Sequence, residues 1–156
     1  IYRNFIEGSS PRGIGFGFPI GVNLVYSADN LAPELLWAGT FIDAGRHWTN
    51  RGQGFQPPLA DEVVKLTNQR FLPPSARFKG YRLDSKGNPT FHIKLDSQLL
   101  SDGFAPGTTG TLVRTLKLSG GTSVLEIPLG DNPLVTPKKS ISLTPGKTVT
   151  VIYKLY

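Results

Sequence analysis

The residue types most able to do chemistry crowd into Ala44-Gly45-Arg46-His47-Trp48-Thr49-Asn50-Arg51-Gly52-Gln53-Gly54-Phe55. This block holds one of the chain's two histidines, one of its two tryptophans, two arginines and three glycines. An imidazole can move a proton or ligate a metal, and a guanidinium can clamp a carboxylate. Large aromatic rings supply apolar anchors with a polar edge. Such a block is either a surface that binds something or a core corner that needs many hydrogen bonds.

Each specific chemistry requires its own residue spacing. His47 with Asp43 could hold zinc or iron, but His47 and His92 lie far apart in sequence and no His-x-His or Glu-x-x-His pattern occurs, so no metal site is expected. No serine sits in a Gly-x-Ser-x-Gly elbow. The glutamates are Glu7, Glu34, Glu62 and Glu126, a thin supply for paired-carboxylate catalysis. No catalytic residue is assigned, and the balance is against an enzyme. Acid–base pairs assemble across space, so an enzyme domain acting on a sugar or small acid stays open. The chain has no cysteine, which excludes thiol catalysis, disulfides, cysteine-type zinc sites and covalent haem attachment. Gly13-Ile14-Gly15-Phe16-Gly17 lacks the strand-to-helix setting of a dinucleotide site. It suits a strand whose backbone lies close against another strand or a partner. Trp37, Trp48, Phe41 and Phe55 could stack on a sugar ring. The alternative is that Trp37 fills the core and Trp48 anchors a loop.

The elements that must position these residues read as strands. Apolar residues at Ile20, Val22, Leu24 and Tyr26 have the period of a half-buried strand, and residues 31–42 favour a strand over a helical turn. Phe55-Gln56-Pro57-Pro58-Leu59 must be loop or edge. Residues 77–83 and 89–95 alternate on either side of Asp84-Ser85-Lys86-Gly87-Asn88, the clearest hairpin of the chain. Residues 111–118, with leucines at 112, 116 and 118, are followed by Gly120-Gly121, a turn that would return the chain along 123–129. A strand–turn–strand over 140–156 closes the chain. With 18 glycines and 13 prolines among 156 residues, the expectation is an all-β, antiparallel β-sandwich with long loops in its first half. Residues 1–156 read as a single β-sandwich domain, with a sub-division open near the polar connection 97–109.

The net charge is +6, scattered rather than gathered in an arm. Solubility explains it, and attraction to an acidic protein or an anionic membrane surface is the functional reading. No nucleic-acid motif appears. No apolar run is long enough to span a membrane as a helix. The chain lacks methionine and opens on Ile1, so it reads as a mature or trimmed product, or as a piece of a longer polypeptide.

Several stretches together carry a family likeness. They are Tyr2-Arg3-Asn4-Phe5-Ile6-Glu7-Gly8, Pro11-Arg12-Gly13-Ile14-Gly15, Gly21-Val22-Asn23-Leu24 and Leu36-Trp37-Ala38-Gly39-Thr40-Phe41-Ile42-Asp43-Ala44-Gly45-Arg46-His47-Trp48. Arg51-Gly52-Gln53-Gly54-Phe55, Phe78-Lys79-Gly80-Tyr81-Arg82-Leu83-Asp84, Gly87 and Pro89-Thr90-Phe91 continue it. Over these residues the chain resembles a β-domain associated with c-type cytochromes and sorbosone-dehydrogenase-like proteins of planctomycetes and related bacteria. The resemblance covers residues 1 to about 95 well and the remainder less closely. It implies a periplasmic location and an accessory, cytochrome-associated role in an electron transfer complex. Its haem c would sit on a partner or neighbouring domain, since this chain can bind none covalently. The partner would be a protein, a c-type cytochrome or a larger membrane-associated redox complex.

The reading that follows is a non-catalytic accessory subunit that mediates protein–protein interaction. Its partner-binding residues would be Arg12, Asp43, Arg46, His47, Trp48, Arg51, Gln53 and Phe55. Asp43 and Arg46 would order the loop by a charge-assisted hydrogen bond, while Trp48 and Phe55 serve as anchors. The alternative is a carbohydrate-binding module built on Trp48 and Phe55.

Overall fold

A computed structural model describes the chain except for residues 4, 44, 46–48, 50–53, 67–68 and 138. The architecture is all-β and sandwich-like, with 56% of residues in strands and several antiparallel sheets. The chain forms two compact units, Ile1–Arg70 with Leu155–Tyr156, and Phe71–Lys154.

The first unit contains β1 (Gly13–Gly17), β2 (Val22–Ser27), β3 (Ala32–Ala38), β4 (Thr40–Ile42), β5 (Pro58–Leu59) and β6 (Val64–Lys65). Its main sheet has the order β1-β2-β3-β6, and β4 pairs with β5. The sequence predicts a half-buried β2, yet every residue from Val22 to Ser27 is buried. Both phases of the strand are therefore out of water. Asn23 and Ser27 are tolerated there because each has hydrogen-bond partners. The chain leaves β3 at Gly39, whose φ of 105° favours a residue without Cβ. Three bonds fix this corner: Asn23 Nδ2 to the Gly39 carbonyl at 3.0 Å, Gly39 N–H to the Gly21 carbonyl at 2.8 Å, and Trp37 Nε1 to the Thr40 carbonyl at 2.9 Å. The corner lays β4 against β1 and β2. Between them sits a core of Ile6, Val25, Leu35 and Trp37, flanked by Tyr2, Phe41, Ile42, Ala60 and Val63.

The second unit holds β7 (Arg77–Leu83), β8 (Pro89–Leu95), β9 (Gln98–Pro106), β10 (Thr111–Ser119), β11 (Leu125–Gly130), β12 (Val135–Thr136), β13 (Lys139–Leu143) and β14 (Thr148–Lys154). Six of them form one sheet, β12-β14-β10-β9-β8-β7, and β11 pairs with β13. The β7–β8 hairpin matches the sequence reading, and Asp84 explains its turn. Its carboxylate accepts from the backbone N–H groups of Lys86 and Asn88 and from Asn88 Nδ2.

Two expectations are corrected here. Residues 97–109, read as a connection, are mostly β9, an interior strand paired with both β8 and β10. Gly120-Gly121 does not fold β11 back onto β10. Instead β10 pairs with β9 and β14, while β11 crosses to pair with β13. The amide of Gln98 holds the crossing by donating to the carbonyls of Gly120 and Ser123. β13 lies against β10 and β14, so Ile127, Ile141 and Leu143 are buried together with the sheet's inner face.

Candidate functional site

Three of the eight expected partner-binding residues, Arg12, Asp43 and Phe55, are described. Arg46, His47, Trp48, Arg51 and Gln53 lie outside the described residues. The site is therefore built from its described frame.

The glycine strand comes first. Gly13, Gly15 and Gly17 alternate along β1 with buried Ile14 and Phe16. A Cβ on Gly15 would stand 2.8 Å from Ile6 Cδ1 and 2.9 Å from Phe41 Cζ, and one on Gly17 would stand 3.0 Å from Phe41 Cγ. The chain needs glycine here so that the Phe41 ring can lie on the backbone of β1. Of the two readings of this strand, close approach to the protein's own fold accounts for Gly15 and Gly17. Trp37 then stacks on Phe41, with ring centroids 5.8 Å apart and planes 9° apart. Trp37 itself has no exposed surface. It fills the core and offers no ring face to a sugar.

The N-terminal segment joins this strand to the end of the 43–55 block. Tyr2 exchanges two backbone hydrogen bonds with Gly15, at 2.9 and 2.8 Å. Four residues on, the Gln56 N–H donates to the Phe5 carbonyl and the Glu7 N–H donates to the Gln56 carbonyl, both at 2.8 Å. The Gln56 side chain is buried, its Nε2 donates to the Gly54 carbonyl, and among the described residues its Oε1 accepts no bond. This bridge brings Phe5 and Phe55 together edge to face, with centroids 5.5 Å apart and an interplanar angle of 65°. The two rings remain 46% and 53% exposed. The sequence marks Phe55 as a partner-binding residue and gives no such sign for Phe5, because only the backbone pairing at Gln56 shows that the two are neighbours.

Asp43 follows β4 and caps its own loop, its Oδ1 accepting from the Gly45 N–H at 2.9 Å. Thr49 N–H and Oγ1 both donate to the Gly45 carbonyl. Arg12 immediately precedes β1 and pairs with Asp29 at 3.3 Å on the surface. Glu34, on β3, is buried and accepts from the Ser10 N–H at 2.8 Å and from Asn30 Nδ2 at 2.6 Å. That carboxylate ties the 9–12 turn to β3.

In the second unit the sequence reading missed a buried polar group. Arg114 Nε and Nη2 donate to the two carboxylate oxygens of Asp102, each at 2.7 Å, with the side chains 5% and 0% exposed. Arg114 Nη1 also donates to the Tyr153 hydroxyl at 3.3 Å, and its guanidinium lies 5.6 Å from the centre of the Phe104 ring. Burial pushes the Tyr153 phenol above its ordinary value of 10.0, opposed by the positive charge of Arg114. A signal existed: Arg114 occupies the inward phase set by Leu112, Leu116 and Leu118. Its partner was hidden because Asp102 fell in a segment read as a connection. His92, on the polar phase of β8, faces away from this core and is half-buried.

Compared with known protein families, curated proteins and solved structures, the chain matches none. Among the described residues no three metal-ligating side chains converge, and no helix is long and apolar enough to cross a membrane.

Proposed function

We propose that this chain is a non-catalytic accessory domain that docks on a protein partner through the surface built around Phe5 and Phe55. The observation that carries this reading is the exposed aromatic pair. Two phenylalanines held side by side by a buried backbone bridge make a rigid apolar anchor at no further ordering cost. The family resemblance supplies the partner's class, a c-type cytochrome of a periplasmic redox assembly carrying its own haem.

Docking is favoured over sugar binding by the same geometry. Rings meeting at 65° present an edge and a face, not the flat platform on which a sugar ring stacks, and Trp37 is withdrawn into the core.

The test is co-purification of the tagged chain from its native source, read by haem absorbance and intact mass. Wild type should bring down a haem protein, and Phe5→Ser with Phe55→Ser should reduce the yield at least tenfold with an unchanged thermal midpoint. An eluate without haem, or one equally rich with the variant, would refute the proposal.

A further inference from the structure

The outer face of the six-stranded sheet carries positive charge without a single carboxylate. Its five long strands, β7 to β10 and β14, contain one acidic residue, Asp102, which points inward and is bound by Arg114. Outward stand Arg77, Lys79, Arg82, Lys94, Lys117 and Lys154, all exposed. Among the described residues none of these six forms an ion pair; Arg77 donates to the carbonyls of Pro74 and Ala76. The nearest acids, Asp84 and Asp96, sit in the turns at the strand ends.

The register sets these groups in rows. One runs Arg82, Thr90, Gly103, Thr115, Thr150 across β7, β8, β9, β10 and β14. The next runs from the bulge at Lys79-Gly80 through His92, Ser101 and Lys117 to Thr148. The outward residues of β9 are Leu99, Ser101, Gly103 and Ala105, so an uncharged lane separates cations on β7 and β8 from those on β10 and β14. The face spans five strands, roughly 19 Å.

Two ordinary explanations fall short. Cations on an edge strand guard against strand addition, which accounts for β7. It does not account for Lys94, Lys117 and Lys154, which lie on strands paired on both sides. Solubility is served by surfaces that mix both signs, and here one sign is missing from a whole sheet face.

We infer that this face is a docking surface for a protein that presents a flat, carboxylate-rich patch. Charge complementarity identifies the occupant, and the rows of hydroxyls between the cations match the alternating donors and acceptors of a protein surface. The face carries no exposed aromatic ring on which a nucleic-acid base could stack. It lacks the large apolar flank with which a membrane-surface element enters lipid, Ile152 being its one exposed large apolar side chain. The surface belongs to the second unit and the Phe5–Phe55 pair to the first, so this inference stands apart from the function proposed above.

The test uses the full chain and poly-L-glutamate as probe, followed by fluorescence anisotropy at low and physiological salt. Lys94→Gln, Lys117→Gln and Lys154→Gln together should weaken binding about tenfold, in keeping with three exposed charge contacts. A control with the same loss of charge, Lys65→Gln, Lys139→Gln and Lys147→Gln, should weaken it no more than about threefold. Amide shifts in wild type should map onto the outward residues of β7 to β10 and β14, those around Lys94, Lys117 and Lys154 included. Phe5→Ser with Phe55→Ser should leave this binding unchanged, which separates its failure from that of the aromatic site. Equal losses in both triple variants, no binding of the probe, or tighter binding to phosphatidylglycerol vesicles or duplex DNA would each overturn the inference.

Discussion

Replacing Arg114 by Met is the most informative perturbation of the core. It removes two charge-assisted hydrogen bonds to Asp102 and leaves a carboxylate with no exposed surface among Leu116, Phe104 and Leu100. Two routes give the size of the effect. Hydrogen bonds to charged groups contribute about 1.5–3 kcal/mol each, so two give about 3–6 kcal/mol. Removing one partner of a buried ion pair independently costs about 3–5 kcal/mol. The routes agree, and the loss is a large share of the stability of a domain this size. Urea denaturation followed by far-ultraviolet circular dichroism measures it. Asp102→Leu combined with Arg114→Met should recover most of the loss, since a well-filled apolar core replaces a buried pair at little or no cost. A single variant within about 1 kcal/mol of wild type, or a double variant as unstable as the single, would refute the account of Asp102 as a buried charge that depends on its ion pair with Arg114.

Gly15→Val should destabilise the first unit by about 1–3 kcal/mol through overpacking against Ile6 and Phe41. Adding Phe41→Ala should offset part of that loss in a double-mutant cycle, whereas simple additivity would show that the two residues do not share one space. In the β7–β8 turn, the Asn88 backbone N–H, the Asn88 amide and the Lys86 N–H hold the Asp84 carboxyl below its ordinary value of 3.8. Its folded value lies below its unfolded one, so its contribution is complete above pH 3.8 and disappears as pH falls through the folded value. A carboxyl titration by nuclear magnetic resonance with a midpoint at or above 3.8 would contradict this.

Local pattern was enough wherever pairing stayed local. The β7–β8 hairpin could be read residue by residue, because alternation and an Asp-to-Asn turn both lie within one segment. The all-β class followed from the same alternation repeated along the chain. Pairings between strands distant in sequence were not legible. Gly120-Gly121 has the composition of a hairpin turn, but nothing local distinguishes a chain that returns beside β10 from one that crosses to β13. The contacts that decide are Gln98 on the turn and β14 on the far side of β10. Of the site, Phe55 and the tight backbone of β1 were foreseeable from residue type. The identity of what lies on β1, the ring of Phe41, depended on a corner at Gly39 that only the hydrogen bonds of Asn23 and Trp37 specify.

The place of β14 has a consequence for synthesis. It is the last strand of the second unit, yet it lies between β12 and β10 rather than at a border. Until it has left the ribosome, β10 offers an open ladder and Leu112, Leu116 and Leu118 have an incomplete cover. A nascent polypeptide must therefore hold a greasy, half-built ribbon in water until β14 emerges, and this sheet is completed in one late step rather than hairpin by hairpin.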